Sequence, residues 1–187
     1  GGFRIPDILT ASGAKLVEVG TTNITTLDDY LGAITERTAM VLRVHRSNFA
    51  LRGFTEEVSV KESKAPLPPH LLLVVDQGSG VFDREIPAEI TVDQHIKDGA
   101  DVVSFSADKA LGSVQGGCIV GKSEFVTKLG KHPLYRVLRV GKTITSLLEA
   151  SLIDHLNGKE QPIGQFLWRD SATLKAAGAL IIGKIKS

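Results

Sequence analysis

Cysteine occurs once in the 187 residues, at Cys118, so the chain forms no internal disulfide and has no thiolate cluster to hold a metal. Such usage suits a reducing compartment, and the cytoplasm is the expected location. A charge excess is missing too. Lys plus Arg is 22 against 21 for Asp plus Glu, a net +1, which leaves no broad basic footprint for nucleic acid. Long apolar runs are absent as well: Leu71 to Val75 falls far short of the roughly 20 residues a membrane span needs. No charged-then-apolar leader opens the chain, and no membrane partner is expected. The only methionine is Met40 and the first residue is Gly1, so Gly1 is not expected to be a translation start and the chain is expected to be a piece of a longer one. What is present is 42% hydrophobic residues, enough for the core of about one domain at roughly 100 to 200 residues each.

Apolar runs alternate with stretches of helical spacing, the rhythm of a mostly parallel sheet flanked by helices. Lys15 to Val19 alternates and Met40 to Val44 is a compact apolar run, both expected as strands. Between them Leu27, Tyr30, Leu31 and Ile34 fall at helical spacing after Thr26, with Asp28 and Asp29 suited to the positive end of a helix, making one β-α-β unit. Leu71 to Val75 lacks polar alternation and is expected as a central strand. Asp101 to Ser106 and Gly117 to Val120 bring the expectation to at least five strands, with a helix over Thr91 to Gly99. Helical patterns follow over Glu124 to Leu129, Leu134 to Leu138, and Thr145 to Leu156, the last stopped by Asn157-Gly158. Lys64 to Pro69 reads as a loop within the domain.

Ligands of open α/β sheets gather outside the carboxyl ends of the strands. Leu71 to Val75 runs into Asp76-Gln77-Gly78-Ser79-Gly80, and Asp101 to Ser106 runs into Ala107-Asp108-Lys109. Asp76 alone reads equally as a solvated loop carboxylate or a helix cap, and a lone lysine is ordinarily a surface residue. Together, on strand ends separated by one crossover, they match what pyridoxal phosphate requires. The lysine holds its aldehyde as a Schiff base, and the carboxylate keeps its ring nitrogen protonated. Ser104 and Ser106 before Lys109, and Gly112, Gly116 and Gly117 after it, offer hydroxyls and N–H groups to a phosphate, with Ser106 the preferred ligand. Those glycines equally serve a tight turn into the next strand.

Gly2-Phe3-Arg4-Ile5-Pro6-Asp7, Glu18-Val19-Gly20-Thr21-Thr22-Asn23, Val44-His45 with Ser47-Asn48, Gly53-Phe54-Thr55, Asp76 to Gly80, Ser104-Phe105-Ser106 with Asp108-Lys109, and His132-Pro133-Leu134 follow in order. Together they resemble the bacterial selenocysteine synthase family, the L-seryl-tRNA(Sec) selenium transferases. The likeness runs from Gly1 to about Leu156 and weakens after about Gln161. It implies an α/β fold: part of the large domain of the pyridoxal-phosphate-dependent aspartate aminotransferase fold, its central part at residues 1–156, with an incomplete C-terminal region beginning at 157–187. The family's tRNA-engaging N-terminal domain and the first part of its cofactor domain would precede Gly1, so the near-neutral charge says nothing about tRNA.

The resemblance implies conversion of seryl-tRNA(Sec) to selenocysteinyl-tRNA(Sec) with selenophosphate, through an aminoacrylyl intermediate, in a homo-oligomer. It casts Lys109 as the Schiff-base lysine and general base, and Asp76 as the partner of the ring nitrogen. Asn48 takes the place near the ring hydroxyl. Arg136 and Arg139 resemble the family's arginines that handle the anionic selenium donor, and i, i+3 spacing would put both on one helical face, which otherwise is a solvated surface. His45, near a strand end, either stacks on the cofactor ring or fills a packed loop. The residues from Gly1 onward are expected to bind the cofactor weakly and to be inactive without the rest of the protein. Two other readings share this sequence: a related β-eliminating lyase acting on a small amino acid or amino sugar, and a non-catalytic scaffold.

Overall fold

The computed structural model describes residues 4–20, 23–46, 49–82, 86, 89–159, 163–167 and 169–186. Helices α1 (Ile5–Ala11) and α2 (Leu27–Ala33) come first. The second begins where expected: the Thr26 hydroxyl accepts the Asp29 N–H while the Asp29 carboxylate takes the Thr26 N–H, a reciprocal capping box. Strand β1 (Met40–Val44) then leads through α3 (Val60–Lys64), capped in the same way by Ser59 and Glu62, to β2 (Leu72–Gly78). Helix α4 (Val92–Lys97) starts on Thr91, whose hydroxyl accepts the Gln94 N–H, and leads to β3 (Val102–Ser106). The next strand, β4 (Gly117–Gly121), follows without a helix.

Sheet order is β1-β2-β3-β4, the first three parallel and the fourth antiparallel. This follows from the connections. Two parallel strands need a crossover, which α3 and α4 supply, whereas the loop from Ala107 to Gly116 only turns the chain back. The remaining helices are α5 (Ser123–Lys131), α6 (Pro133–Leu138), α7 (Lys142–Leu156), α8 (Gly164–Leu167) and α9 (Ser171–Lys186). The third of these stops at Asn157 with Gly158 at φ 72°, as its sequence foretold. Among the described residues, no helix is long and apolar enough to cross a membrane.

The mostly parallel sheet flanked by helices is as expected, and β2 does lie inside it. Two expectations fail. Lys15 to Val19 forms no strand, so the first β-α-β unit is missing, and the described residues contain four paired strands, not five. Alternation showed that this segment can be extended, but a strand also needs a neighbouring edge to bond to. Further along the chain, an isolated bridge joins Ile24 and Glu56 outside the strands of the sheet.

One face of the sheet carries the core. Val41, Leu73, Val75, Val103 and Phe105 meet Val60, Val92, Ala100, Ala107 and Leu111 in a single buried cluster, with Leu148 and Leu152 of α7 against it. On the amino side of β3, Asp101 is 2% exposed and ties the layers together. Its N–H donates to the Leu73 carbonyl at 2.8 Å, and its carboxylate accepts the Leu73 N–H at 2.8 Å, Lys64 Nζ at 2.7 Å and Lys122 Nζ at 2.6 Å. Burial pushes the Asp101 carboxyl up, but the Leu73 N–H and the two ammonium groups outweigh it and hold the group below the ordinary carboxylate range. Gly121 passes so close that a Cβ there would stand 2.3 Å from the Asp101 carbonyl oxygen, so glycine is required.

Replacing Asp101 with Ala leaves Lys122, 55% exposed, free to hydrate, while the buried Leu73 N–H loses its partner. The expected loss is therefore about 1–3 kcal/mol, the cost of an orphaned donor, rather than the 3–5 of a wholly buried pair, read from the urea midpoint of D101A.

His95 on α4 is 3% exposed, and neither ring nitrogen is hydrogen-bonded among the described residues. Burial, and after it the positive field of His45, holds its pKa below the ordinary 6.5. The unfolded chain takes up this proton near the ordinary value and the folded chain only at lower pH. The stability from neutral His95 is thus complete above that value and drains away as the pH falls toward the depressed one. Urea midpoints measured from about pH 7.5 down to about pH 5 are expected to fall in the native protein and to flatten in His95→Leu.

Candidate active site at the carboxyl ends of the strands

Asp76 lies within β2, not just beyond it as the sequence suggested. The strand runs on past Val75 because both neighbours continue to pair with it. Val44 and Ser104 stand opposite Asp76, and the His45 N–H donates to the Asp76 carbonyl at 2.9 Å. The Ser104 hydroxyl donates to Asp76 Oδ1 at 2.9 Å, so this serine orients the carboxylate instead of waiting for a phosphate. Alternation places Ser106 on the same face of β3 as Ser104. Ser106 ends the strand half-buried, and its hydroxyl makes no hydrogen bond among the described residues. Lys109 follows in the turn after β3, exposed, its ammonium without an ion pair among the described residues.

The loops after β2 and β3 are locked to each other. Gly80, at φ 74°, lies so close to β3 that a Cβ would stand 2.3 Å from the Ser106 carbonyl oxygen, and the Ala110 N–H donates to the Ser79 carbonyl at 2.9 Å. Fully buried Gln77 holds the first loop from within: its Oε1 accepts the Gly80 N–H at 2.7 Å, and its Nε2 donates to Ser79 Oγ at 2.7 Å and to the Ile90 carbonyl at 3.3 Å. Ser79 Oγ donates in turn to Glu89 Oε2 at 2.8 Å. His45 Nε2 lies 2.9 Å from that same oxygen, in contact with it but without a hydrogen bond among the described residues.

The other candidates are placed less centrally. Asn48 lies outside the described residues. Arg136 is on α6, but Arg139 is past its end, with extended backbone at φ −62° and ψ 142°. The two therefore do not share a helical face. The helix closes at Leu138, and i, i+3 spacing has meaning only inside a helix. Both side chains are exposed. The segment just after Arg139 does reach the lysine loop: a Cβ on Gly116 would stand 3.6 Å from Val140 Cγ1 and 3.9 Å from Ile144 Cγ2.

Sequence reasoning passed over Gln77, Ser79 and Glu89 as working residues. A signal existed for the first. Gln77 continues the inward phase of Leu73 and Val75, and a polar side chain in that phase must find buried partners. Glu89 carried none, since its two contacts come from segments remote in sequence.

A carboxylate fixed by a serine at one strand end, and at and just beyond the end of the next a hydroxyl and a primary amine without hydrogen bond or ion pair among the described residues, are the donor set pyridoxal phosphate uses, and the residues present fit that group. Residues 1–176 match the family model of L-seryl-tRNA selenium transferase. The chain belongs to that family. The L-seryl-tRNA(Sec) selenium transferase of Haemophilus influenzae is 49% identical over 162 residues, covering 84% of this chain and 35% of that protein. The family member from Sulfurimonas denitrificans is 42% identical across 100% of this chain and 43% of its own length. The chain thus spans well under half the length of these relatives. Among solved structures, D-glucosaminate-6-phosphate ammonia-lyase superposes with a TM-score of 0.64 at 24% identity, covering 83% of this chain and 40% of its own. The likeness is one of fold, in keeping with part of the large domain of the aspartate aminotransferase class.

The loop clamp makes a contrast between two glycines. Gly80→Ala drives a methyl into the Ser106 backbone and is expected to cost about 1–3 kcal/mol beyond Gly78→Ala, whose Cβ meets nothing within 4 Å and carries only the positive-φ penalty. Chemical denaturation of the two variants side by side measures the difference.

Proposed function

We propose that this chain carries the cofactor centre of a pyridoxal-phosphate-dependent selenium transferase, which converts seryl-tRNA(Sec) to selenocysteinyl-tRNA(Sec) using selenophosphate. The observation that carries the reading is Asp76, held across the sheet by Ser104, beside a strand-end loop that offers Lys109, which has no ion pair among the described residues. Family membership and the names of the relatives supply the substrate. When bound, pyridoxal phosphate supplies a sink for the electron pair left as a bond at the seryl α-carbon breaks.

The residues divide the remaining work. Asp76, its Oδ1 fixed by Ser104, would be the counter-charge that keeps a proton on the ring nitrogen. Lys109 would hold the cofactor's aldehyde and would serve as the general base for the α-proton. Ser106 offers its free hydroxyl to the phosphate. Asn48 is assigned to the ring hydroxyl and His45 to the ring's neighbourhood. Arg136 and Arg139 meet the anionic selenium donor as two separately placed cations. Residues 1–156 act as the central part of the cofactor domain, and 157–187 begin the C-terminal region. The working protein is a cytoplasmic homo-oligomer.

In the full-length protein, incubation with pyridoxal phosphate and reduction by borohydride is expected to label Lys109, with the label lost in Lys109→Ala. Supplied with seryl-tRNA(Sec) and selenophosphate, the unmodified protein is expected to form selenocysteinyl-tRNA(Sec), while Asp76→Asn retains the label and loses most turnover. Labelling confined to another lysine, or no selenium transfer, overturns the reading.

A further inference from the structure

We infer that Glu89 is a positioning residue of this centre, acting through His45 and Ser79 to set the strand-end loops that present Asp76 and Lys109; the inference rests on the cofactor reading above. Glu89 lies ahead of α4, outside every strand, and its side chain is only 18% exposed. A carboxylate withdrawn this far from water ordinarily pairs with lysine or arginine. Among the described residues Glu89 has neither. One oxygen instead receives the Ser79 hydroxyl at 2.8 Å and faces His45 Nε2 at 2.9 Å.

Each of those contacts ends one step from the chemistry. The residue that faces Glu89 through its ring, His45, donates its backbone N–H to the Asp76 carbonyl at 2.9 Å. Ser79 accepts at its carbonyl the N–H of Ala110, the residue after Lys109, at 2.9 Å. Gln77 Nε2 to Ser79 Oγ to Glu89 Oε2 forms a directed chain of donors ending on the carboxylate, and each link polarises the next. Glu89, in the approach to α4, thus joins two segments that only the fold brings to it: the exit of β1 and the loop after β2. The first leads to Asp76 and the second to Ala110, the residue after Lys109. A carboxylate serving stability alone would gain more from a lysine, as Asp101 does at the other end of the sheet.

The test uses the full-length protein, with pyridoxal phosphate as probe. Native protein is first labelled with borohydride. A label away from Lys109 sinks the cofactor reading and this inference with it, whereas a label on Lys109 leaves the inference to be decided by Glu89→Ala and Glu89→Gln. Expected is a fall of roughly tenfold to a hundredfold in the rate of trapping at Lys109, the scale of a small misplacement of a reacting group. The pH midpoint of the bound cofactor's visible absorbance is expected to move as well, with the urea midpoint of the cofactor-free protein unchanged. Trapping rate and pH midpoint both equal to native overturn the inference. So does a loss of stability with an unmoved pH midpoint, which marks a structural role only. Should Glu89→Ala fail to fold, the isosteric Glu89→Gln decides by the same two readouts.

Discussion

The parallel pairing of β2 with β3 is the constraint on which the candidate site depends. Its register sets Asp76 opposite Ser104, so the carboxylate that faces the open side of the sheet is held by a hydroxyl from the neighbouring strand. The same pairing brings both exit loops to one end of the sheet. There the close approach of Gly80 to the Ser106 carbonyl, and the Ala110 to Ser79 hydrogen bond, fix the loop that carries Lys109. Slipping the register by one residue would turn Asp76 toward the apolar core and move Ser104 away from it.

The two ends of the sheet divide the labour. At the amino ends Asp101 gathers Leu73, Lys64 and Lys122, a fully engaged carboxylate whose charge is spent on holding β2, β3 and the exit of β4 together. At the carboxyl ends the charged groups are left less satisfied. Lys109 has no ion pair among the described residues, Ser106 a free hydroxyl, and Asp76 one carboxylate oxygen beyond its serine. Unpaired polar groups cluster where a ligand with an aldehyde, a ring nitrogen and a phosphate would complete them, in keeping with the rule that strand ends of open sheets bind ligands.

Much of the frame was legible in the chain. The capping of α2 by Thr26, the strand at Met40 to Val44, the inner position of β2 and the stop at Asn157-Gly158 each rest on local chemistry: a hydroxyl that satisfies an N–H, an apolar run without alternation, a glycine free to adopt positive φ. Lys15 to Val19 misled for the complementary reason, since alternation reports a tendency to extend but not the presence of an edge to join. Arg139 misled because spacing was read through a helix that closes one residue earlier.

The sequence by itself pointed to Asp76, Ser106 and Lys109 as candidate site residues, because a carboxylate and a lysine one crossover apart at strand ends need no contact map to be noticed. Family resemblance extended that to a substrate class. Tertiary structure alone decided how those groups are held: Ser104 turned to Asp76, the loops locked through Gly80, and Glu89 joined to His45 and Ser79. The reason is physical. Secondary structure follows from interactions within a few residues of one another, which a sequence displays. The partners of Asp76 and Glu89 come from other segments, Ser79 lying 10 residues from Glu89 and Ser104 lying 28 from Asp76, and only the pairing of strands and the burial of their common face bring them within hydrogen-bond reach.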